Sequence, residues 1–322
     1  MDAKYLATQL RQIEEILLPY RRFTRIVELL EYNYSLYLQG AEPRHTLLVG
    51  DSGAGKTWIA RHLLNKYPSF EEDGVKIIPI LFVETPSTPT IKSMAEQILH
   101  SLGDPLSYKG SAELKSARAL ELLKRCKVEM IVFDEFQHFL DHGWYNSLQA
   151  VADWLKSFID KAEVPCILMG LPRCEVILQV NEQLRRRFST RVELSRFSME
   201  TADEEREFRS VLMALDKLLP TERLSDLASP DLAIRLYYAS NGLIGYLRKL
   251  LTRSFELMVR ENRSNIGIEL LATSFQEHIW RDGIGALNPF HPEFALRPLT
   301  GPGEPFSYQV PTLRRSQKGG RK

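Results

Sequence analysis

The stretch HTLLVGDSGAGKTWIARHLLNK, residues 45–66, decides how the rest of the chain is read. Residues 45–49 form a short apolar run of strand type, which passes directly into Gly50-Asp51-Ser52-Gly53-Ala54-Gly55-Lys56-Thr57. A helical pattern begins at once behind it, so the segment fits G-x-x-x-x-G-K-[ST] in the strand–loop–helix setting that the motif requires. The glycines let backbone wrap a β-phosphate, while amide N–H groups and the helix N-terminus supply positive potential. Lys56 then reaches the β/γ oxygens of ATP, and the Thr57 hydroxyl completes a Mg²⁺ shell. These eight residues, with Trp58 behind them, are the expected nucleotide site. The alternative is a glycine-rich turn that only caps a helix.

Working outward, the next informative element is MIVFDE, residues 130–135, an apolar strand that ends in two acids. At the end of a neighbouring strand, Asp134 can hold Mg²⁺ through water. Glu135 is then set to orient or deprotonate the attacking water, which needs a carboxylate within hydrogen-bond reach. Taken alone, paired acids at a strand end also describe a solvated turn. Beside a phosphate loop they point to hydrolysis rather than nucleotide storage.

The remaining pattern is built around these two elements. Residues 5–38 carry apolar positions at helical spacing in two stretches broken near Pro19, with Leu6, Leu10, Ile13 and Leu17 on one face of the first. Strands are expected at 75–83, 128–133, 164–170 and 191–194, with a turn at 71–74 and helices at 90–102, 112–126, 144–161 and 173–184. Strands apolar on both faces that alternate with helices imply a parallel sheet covered on both sides. Beyond residue 200 strand signals vanish, and 200–219, 229–240, 243–261 and 268–280 read as helices. The expected partition is an N-terminal helical segment (1–44), an α/β core (45–198), a helical domain (199–280) and a Pro/Gly-containing basic tail (281–322).

Composition narrows the class further. With 42 Lys+Arg against 41 Asp+Glu the net charge is +1, which excludes a wholesale polycation but leaves room for a local nucleic-acid groove. The longest apolar runs fall far short of a ~20-residue membrane span, and no apolar signal-peptide region opens the chain. Three cysteines, Cys126, Cys166 and Cys174, with no C-x-x-C, point to a reducing cytoplasm. His138 and His142 have the i, i+4 spacing of a metal pair, but FQHFLDH (136–142) lacks the H-E-x-x-H pattern.

The phosphate loop, the Asp-Glu strand end, the α/β section and the helical domain together resemble an AAA+ P-loop ATPase with a parallel five-stranded αβα sandwich and a helical lid. Within that superfamily the chain resembles the TniB/TnsC transposition regulators. The likeness is carried by PYRRF (19–23), GDSGAGKT (50–57), FDEF (133–136), VPCILMGLP (164–172), LRRRF (184–188) and NGLIGYLRKLL (241–251). It implies an ATP-dependent homo-oligomer, a ring or helical filament on double-stranded DNA, that marks a target site. It also implies recruitment of a transposase, a TniQ-like target selector as second partner, hydrolysis that drives disassembly, and a nucleoid-associated location.

The resemblance also assigns residues. Arg187, with Arg186 second, matches the arginine that acts on a neighbour's ATP, although the 185–187 cluster also fits a solvated or DNA-facing face. Arg248 fits the lid arginine, or a surface arginine on a basic helix. Lys92, Lys109 and Ser111 fall in segments that line the DNA channel, where Lys and Ser touch phosphates without reading sequence; isolated loop lysines are otherwise simply solvated. One departure stands out. Leu171-Pro172 follow Gly170 where the family pattern has a small polar residue near the γ-phosphate, which implies slow hydrolysis. Residues 297–322 hold Arg297, Arg314, Arg315, Lys318, Arg321 and Lys322 against Glu304 alone, which fits a docking peptide for transposase or DNA, or a solubilising end. The alternative functions are a small-molecule P-loop kinase and a nucleotide-gated interaction, replication or secretion factor outside transposition.

Overall fold

A computed structural model of the protein describes residues 3–16, 18, 20–141 and 145–307. In chain order the elements are α1 (Ala3–Glu15), α2 (Arg21–Leu38), β1 (Thr46–Val49), α3 (Lys56–Lys66), β2 (Phe70–Glu72), β3 (Val75–Ile77), β4 (Ile80–Glu84), α4 (Ile91–Ser101) and α5 (Ala112–Arg125). Then come β5 (Met130–Asp134), α6 (His138–Asp141), α7 (Tyr145–Ala162), β6 (Cys166–Gly170), a 3-10 turn (Pro172–Glu175), α8 (Val176–Val180), α9 (Glu182–Arg187) and β7 (Thr190–Glu193). Four longer helices follow: α10 (Ala202–Leu218), α11 (Pro230–Ser240), α12 (Ile244–Arg260) and α13 (Ile268–His278). Among the described residues no helix is long and apolar enough to cross a membrane.

The chain divides into two compact units, the first made of Ile16–Ser198 with Leu243–Gly245. Its five-stranded sheet runs β4-β5-β6-β1-β7, and every pairing is parallel. β1, β5 and β6 are buried at every residue, as expected of central strands covered on both faces, whereas β7 alternates as an edge strand. The strand order reverses beside β1, so the loops after β1, β5 and β6 open at one edge, where open α/β sheets bind ligands.

Two expectations on this unit are corrected. Residues 75–83 are two strands in different sheets, β3 beside β2 and β4 at the edge beside β5, with Ile78-Pro79 between them and Pro79 lacking an N–H to continue a ladder. Its carbonyl instead accepts from Glu129 and Met130 N–H at 2.9 and 3.0 Å. The first half, β3, pairs antiparallel with β2 through the two-residue turn Asp73-Gly74, both left-handed (φ 50° and 72°), the geometry of a tight hairpin. The single helix expected at 173–184 is a 3-10 turn and two short helices. Asn181, extended at φ −137°, ends α8 and caps α9 by accepting from Leu184 N–H at 2.8 Å.

α4 and α5 pack against each other around Lys115, whose side chain is 0% exposed and ion-paired with Glu96. Trp154 on α7 donates to Ser116 Oγ on α5 at 3.1 Å.

The second unit contains Met1–Glu15, Met199–Gly242 and Tyr246–Lys322. α1 therefore counts with the helical unit and α2 with the α/β unit. α10 opens on a capping box between Thr201 and Glu204. The buried Asp216 accepts from Ser225 and Leu227 N–H at 2.9 and 3.2 Å and fixes the loop before α11.

The expected tail is corrected over its described part, which is packed. Phe290, Phe294, Leu299 and Phe306 are buried, and Arg235 donates to the Pro289 and His291 carbonyls at 2.8 Å each. Asn288 Nδ2 donates to the Ala272 and Gly283 carbonyls at 3.0 Å each, and the Arg297 guanidinium is clasped by Glu304. Arg314, Arg315, Lys318, Arg321 and Lys322 lie outside the described residues.

The buried lysine generates a stability prediction. Glu96→Ala strands the Lys115 ammonium in an apolar site and is expected to lower stability by about 2 kcal/mol. Lys115→Met, of similar length, should stay within about 1 kcal/mol of wild type. Urea unfolding followed by tryptophan fluorescence measures both, and the reverse ranking would overturn the account.

Candidate nucleotide site

The loop after β1 is held at its start by Gly50, whose N–H donates to the Gly170 carbonyl at 3.1 Å. A side chain is excluded there, because a Cβ on Gly50 would lie 2.5 Å from the Leu194 carbonyl oxygen. At the other end Gly55 has φ 107°, a backbone conformation that L side chains rarely adopt, and no side chain caps the first N–H groups of α3. Donors at such a helix start are suited to phosphate oxygens. Ser52 is exposed, whereas Ala54 is buried and receives the Tyr20 hydroxyl on its carbonyl at 3.4 Å. Gly53 offers its carbonyl to Gly245 N–H at 2.8 Å, and Asp51 is bound by the Arg196 guanidinium at 2.7 Å.

Lys56 opens α3 and is buried. Its Nζ donates to the Gly50 and Asp51 carbonyls at 2.7 and 3.0 Å. Burial pulls its pKa below the ordinary lysine value, and the nearby Glu135 and Asp134 charges oppose that. Thr57 Oγ1 donates to Asp134 Oδ2 at 2.8 Å, joining the loop–helix junction to the end of β5. Asp134 is 2% exposed and also accepts from Glu135 N–H at 2.8 Å. Burial raises its pKa, while those two hydrogen bonds favour the charged form. A hydroxyl and a buried carboxylate in contact beside a phosphate loop are a hard-oxygen donor set, so Thr57 and Asp134 fit Mg²⁺.

Glu135 turns out of β5 in the left-handed region (φ 55°), and its carboxylate accepts from Gln137 Nε2. Trp58 is half-buried, 5.0 Å from the Arg61 guanidinium. Residues 50–58, Asp134 and Glu135 are thus brought to one edge of the sheet.

Arg187 closes α9 and pairs with Asp160 on α7 at 3.1 Å, and Arg186 pairs with Glu182 at 2.6 Å. Arg248 is on α12 in the helical unit. Lys92, in the first turn of α4, is exposed. Lys109 is exposed too, its ammonium 5.8 Å from the Tyr108 ring centre. Ser111 caps α5, its hydroxyl accepting from Leu114 N–H at 3.3 Å, which gives it a structural task of its own. His138 faces the Thr85 carbonyl at 3.1 Å, and His142 is outside the described residues. Cys126, Cys166 and Cys174 are buried, and burial pushes the Cys174 thiol up to about 12.

Three contacts had no sequence signal: Gln137 on Glu135, Arg196 on Asp51, and Tyr20 on the loop carbonyl.

The sequence model of the bacterial TniB protein family matches residues 9–199, more than half of the chain. The chain belongs to the TniB family. No curated protein sequence matches it. Solved structures with a similar fold include Cdc6p of Pyrobaculum aerophilum, at TM-score 0.62 and 16% identity over 86% of this chain and 72% of that one. The ORC2 protein of Aeropyrum pernix in ADPNP–ADP complexes aligns at TM-score 0.58 and 17% identity, over 84% and 73%. The A. pernix ORC1 protein in complex with DNA aligns at 0.57 and 18%, over 81% and 66%. At such identities the likeness is one of fold: this TniB-family chain has the AAA+ P-loop architecture.

The buried carboxylate yields a test without nucleotide. An acid with a raised folded-state pKa releases its proton later than in the unfolded chain, so stability falls as pH rises from the ordinary aspartate value through the raised one. Asp134→Asn should lack that decline and melt higher than wild type at pH 7 without nucleotide or Mg²⁺. Thermal midpoints between pH 4 and 8 check this, and parallel profiles for the two proteins would refute it.

Proposed function

We propose that this TniB-family protein is an ATP-hydrolysing regulator of transposition that oligomerises on duplex DNA, marks the target site and recruits the transposase. The observation that carries the reading is the Thr57–Asp134 contact beside the phosphate loop, with Glu135 next in sequence. The loop N–H groups and Lys56 bind the β- and γ-phosphates of ATP. Thr57 and Asp134 would hold Mg²⁺, which when bound neutralises charge on the phosphate oxygens. Glu135 orients the attacking water and takes its proton.

Arg187, or Arg186, enters the γ-phosphate shell of a neighbouring copy, and Arg248 serves the chain's own nucleotide. Lys92, Lys109 and Ser111 touch DNA phosphates. The DNA-bound A. pernix ORC1 protein supports this as a fold analogy. Leu171-Pro172 after β6 favour slow turnover, suited to timing disassembly, and a TniQ-like protein is the second partner.

Two experiments test this reading. Electron microscopy of the protein with duplex DNA and a non-hydrolysable ATP analogue should reveal ordered rings or filaments that need both components. Phosphorylation of a metabolite without any assembly would favour a kinase, and nucleotide-dependent complexes that ignore DNA would favour an interaction factor. For the arginine acting in trans, Arg187→Ala and Lys56→Ala proteins should each be inactive in hydrolysis, and mixing them should restore part of it. A mixture as inactive as its components would remove Arg187 from that role.

A further inference from the structure

The exit of β5 is fastened to β6 by more than the sheet. Phe136 N–H donates to the Met169 carbonyl at 3.0 Å, immediately after Glu135 in its left-handed conformation. Behind it Gln137 is 5% exposed, yet both ends of its amide are engaged. Nε2 donates to Glu135 Oε2, and Oε1 accepts from Leu171 N–H at 3.2 Å. The space it fills exists because β6 ends in Gly170. A Cβ on residue 170 would lie 2.7 Å from Gln137 Oε1 and 2.3 Å from Cys174 Sγ.

Glu135 is held in an uncommon left-handed conformation, and its side-chain torsions stay free unless a contact fixes them. The amide of Gln137 is the fixture, and it is in turn fixed to β6. The same amide reaches the strand end where Leu171-Pro172 offer no polar side chain.

We propose that Gln137 is a positioning residue for hydrolysis: by holding Glu135 Oε2 against the end of β6, it aims the other carboxylate oxygen at the attacking water. This rests on the ATPase reading above. Gln137 does not touch nucleotide in this scheme; it acts through Glu135. Orientation losses of this kind reach about 10²-fold for misplacements near 1 Å.

The test uses two variants of the full-length protein, assayed with duplex DNA. Gln137→Met keeps the volume and loses both hydrogen bonds. Gln137→Glu, at pH 8, keeps an acceptor for Leu171 N–H and loses the donor to Glu135, so it separates the catalytic contact from the structural one. Both should show kcat lowered roughly 10- to 100-fold. The Kd for a fluorescent ATP analogue should stay within about twofold of wild type, because the phosphate loop is untouched. The Gln137→Glu protein should also melt as a folded protein. Turnover within about twofold of wild type in either variant, or faster, overturns the proposal, as does an affinity loss as large as the turnover loss. Wild-type protein that fails to hydrolyse ATP under conditions that assemble it overturns the ATPase reading as well. Active wild type beside active variants overturns the Gln137 role alone.

Discussion

Everything at the nucleotide edge depends on how closely β1 and β5 can be joined across β6, the strand between them. Thr57 follows β1 and Asp134 ends β5, the two strands that flank β6, and their side chains meet at 2.8 Å. Between them β6 ends at Gly170, which carries no side chain. Its carbonyl receives Gly50 N–H on one side, and the Gln137 amide lies over it from the other. A larger residue would push Gln137 and Cys174 away and loosen the turn that carries Glu135. The phosphate loop and the two acids are therefore one packed assembly rather than two motifs that happen to be near each other.

The assembly also sets the electrostatics. Lys56 and Asp134 are both removed from water, and burial biases each towards its neutral form. Neither is isolated: the lysine rests on two loop carbonyls, and the aspartate accepts a hydroxyl and a backbone N–H. Buried charges held this way keep an orientation that exposed ones would lose to side-chain entropy, and their fields are weakly screened. Such a site favours a ligand that brings both signs of charge, as a phosphate chain with a divalent cation does.

Much of this was legible before any coordinates. Strands β1, β5 and β6 announce themselves by unbroken apolar runs, and α10–α13 by helical periodicity over eleven residues or more, which is why the parallel sheet and the helical unit are readable from pattern. The loop and its two acids follow from spacing. Other features escape for identifiable reasons. β2 and β3 are three residues each, too short for alternation to register, and Pro79 hides inside an apolar run. Residues 288–306 form an irregular segment anchored by a few buried residues, among them Phe290, Phe294 and Phe306, and by Arg235, with no period to detect. Gln137 is invisible because its role depends on where Leu171 and Gly170 fall in space.

The net charge of +1 looks unhelpful for a protein proposed to bind DNA, and the ion pairs explain part of that balance. Arg186, Arg187, Arg196 and Arg253 each face a carboxylate, so counting cations overstates what remains to meet phosphate. Arg187 is the instructive case. Its side chain is 53% exposed, and a pair so open to solvent is worth about 0–1 kcal/mol, less at physiological salt. That is too little to prevent the transfer we propose, to a phosphate on a neighbouring copy, where a desolvated, charge-assisted contact would be stronger. In the role proposed for it, an Arg187 weakly held by its own subunit suits assembly that costs little to start and, with hydrolysis, little to undo.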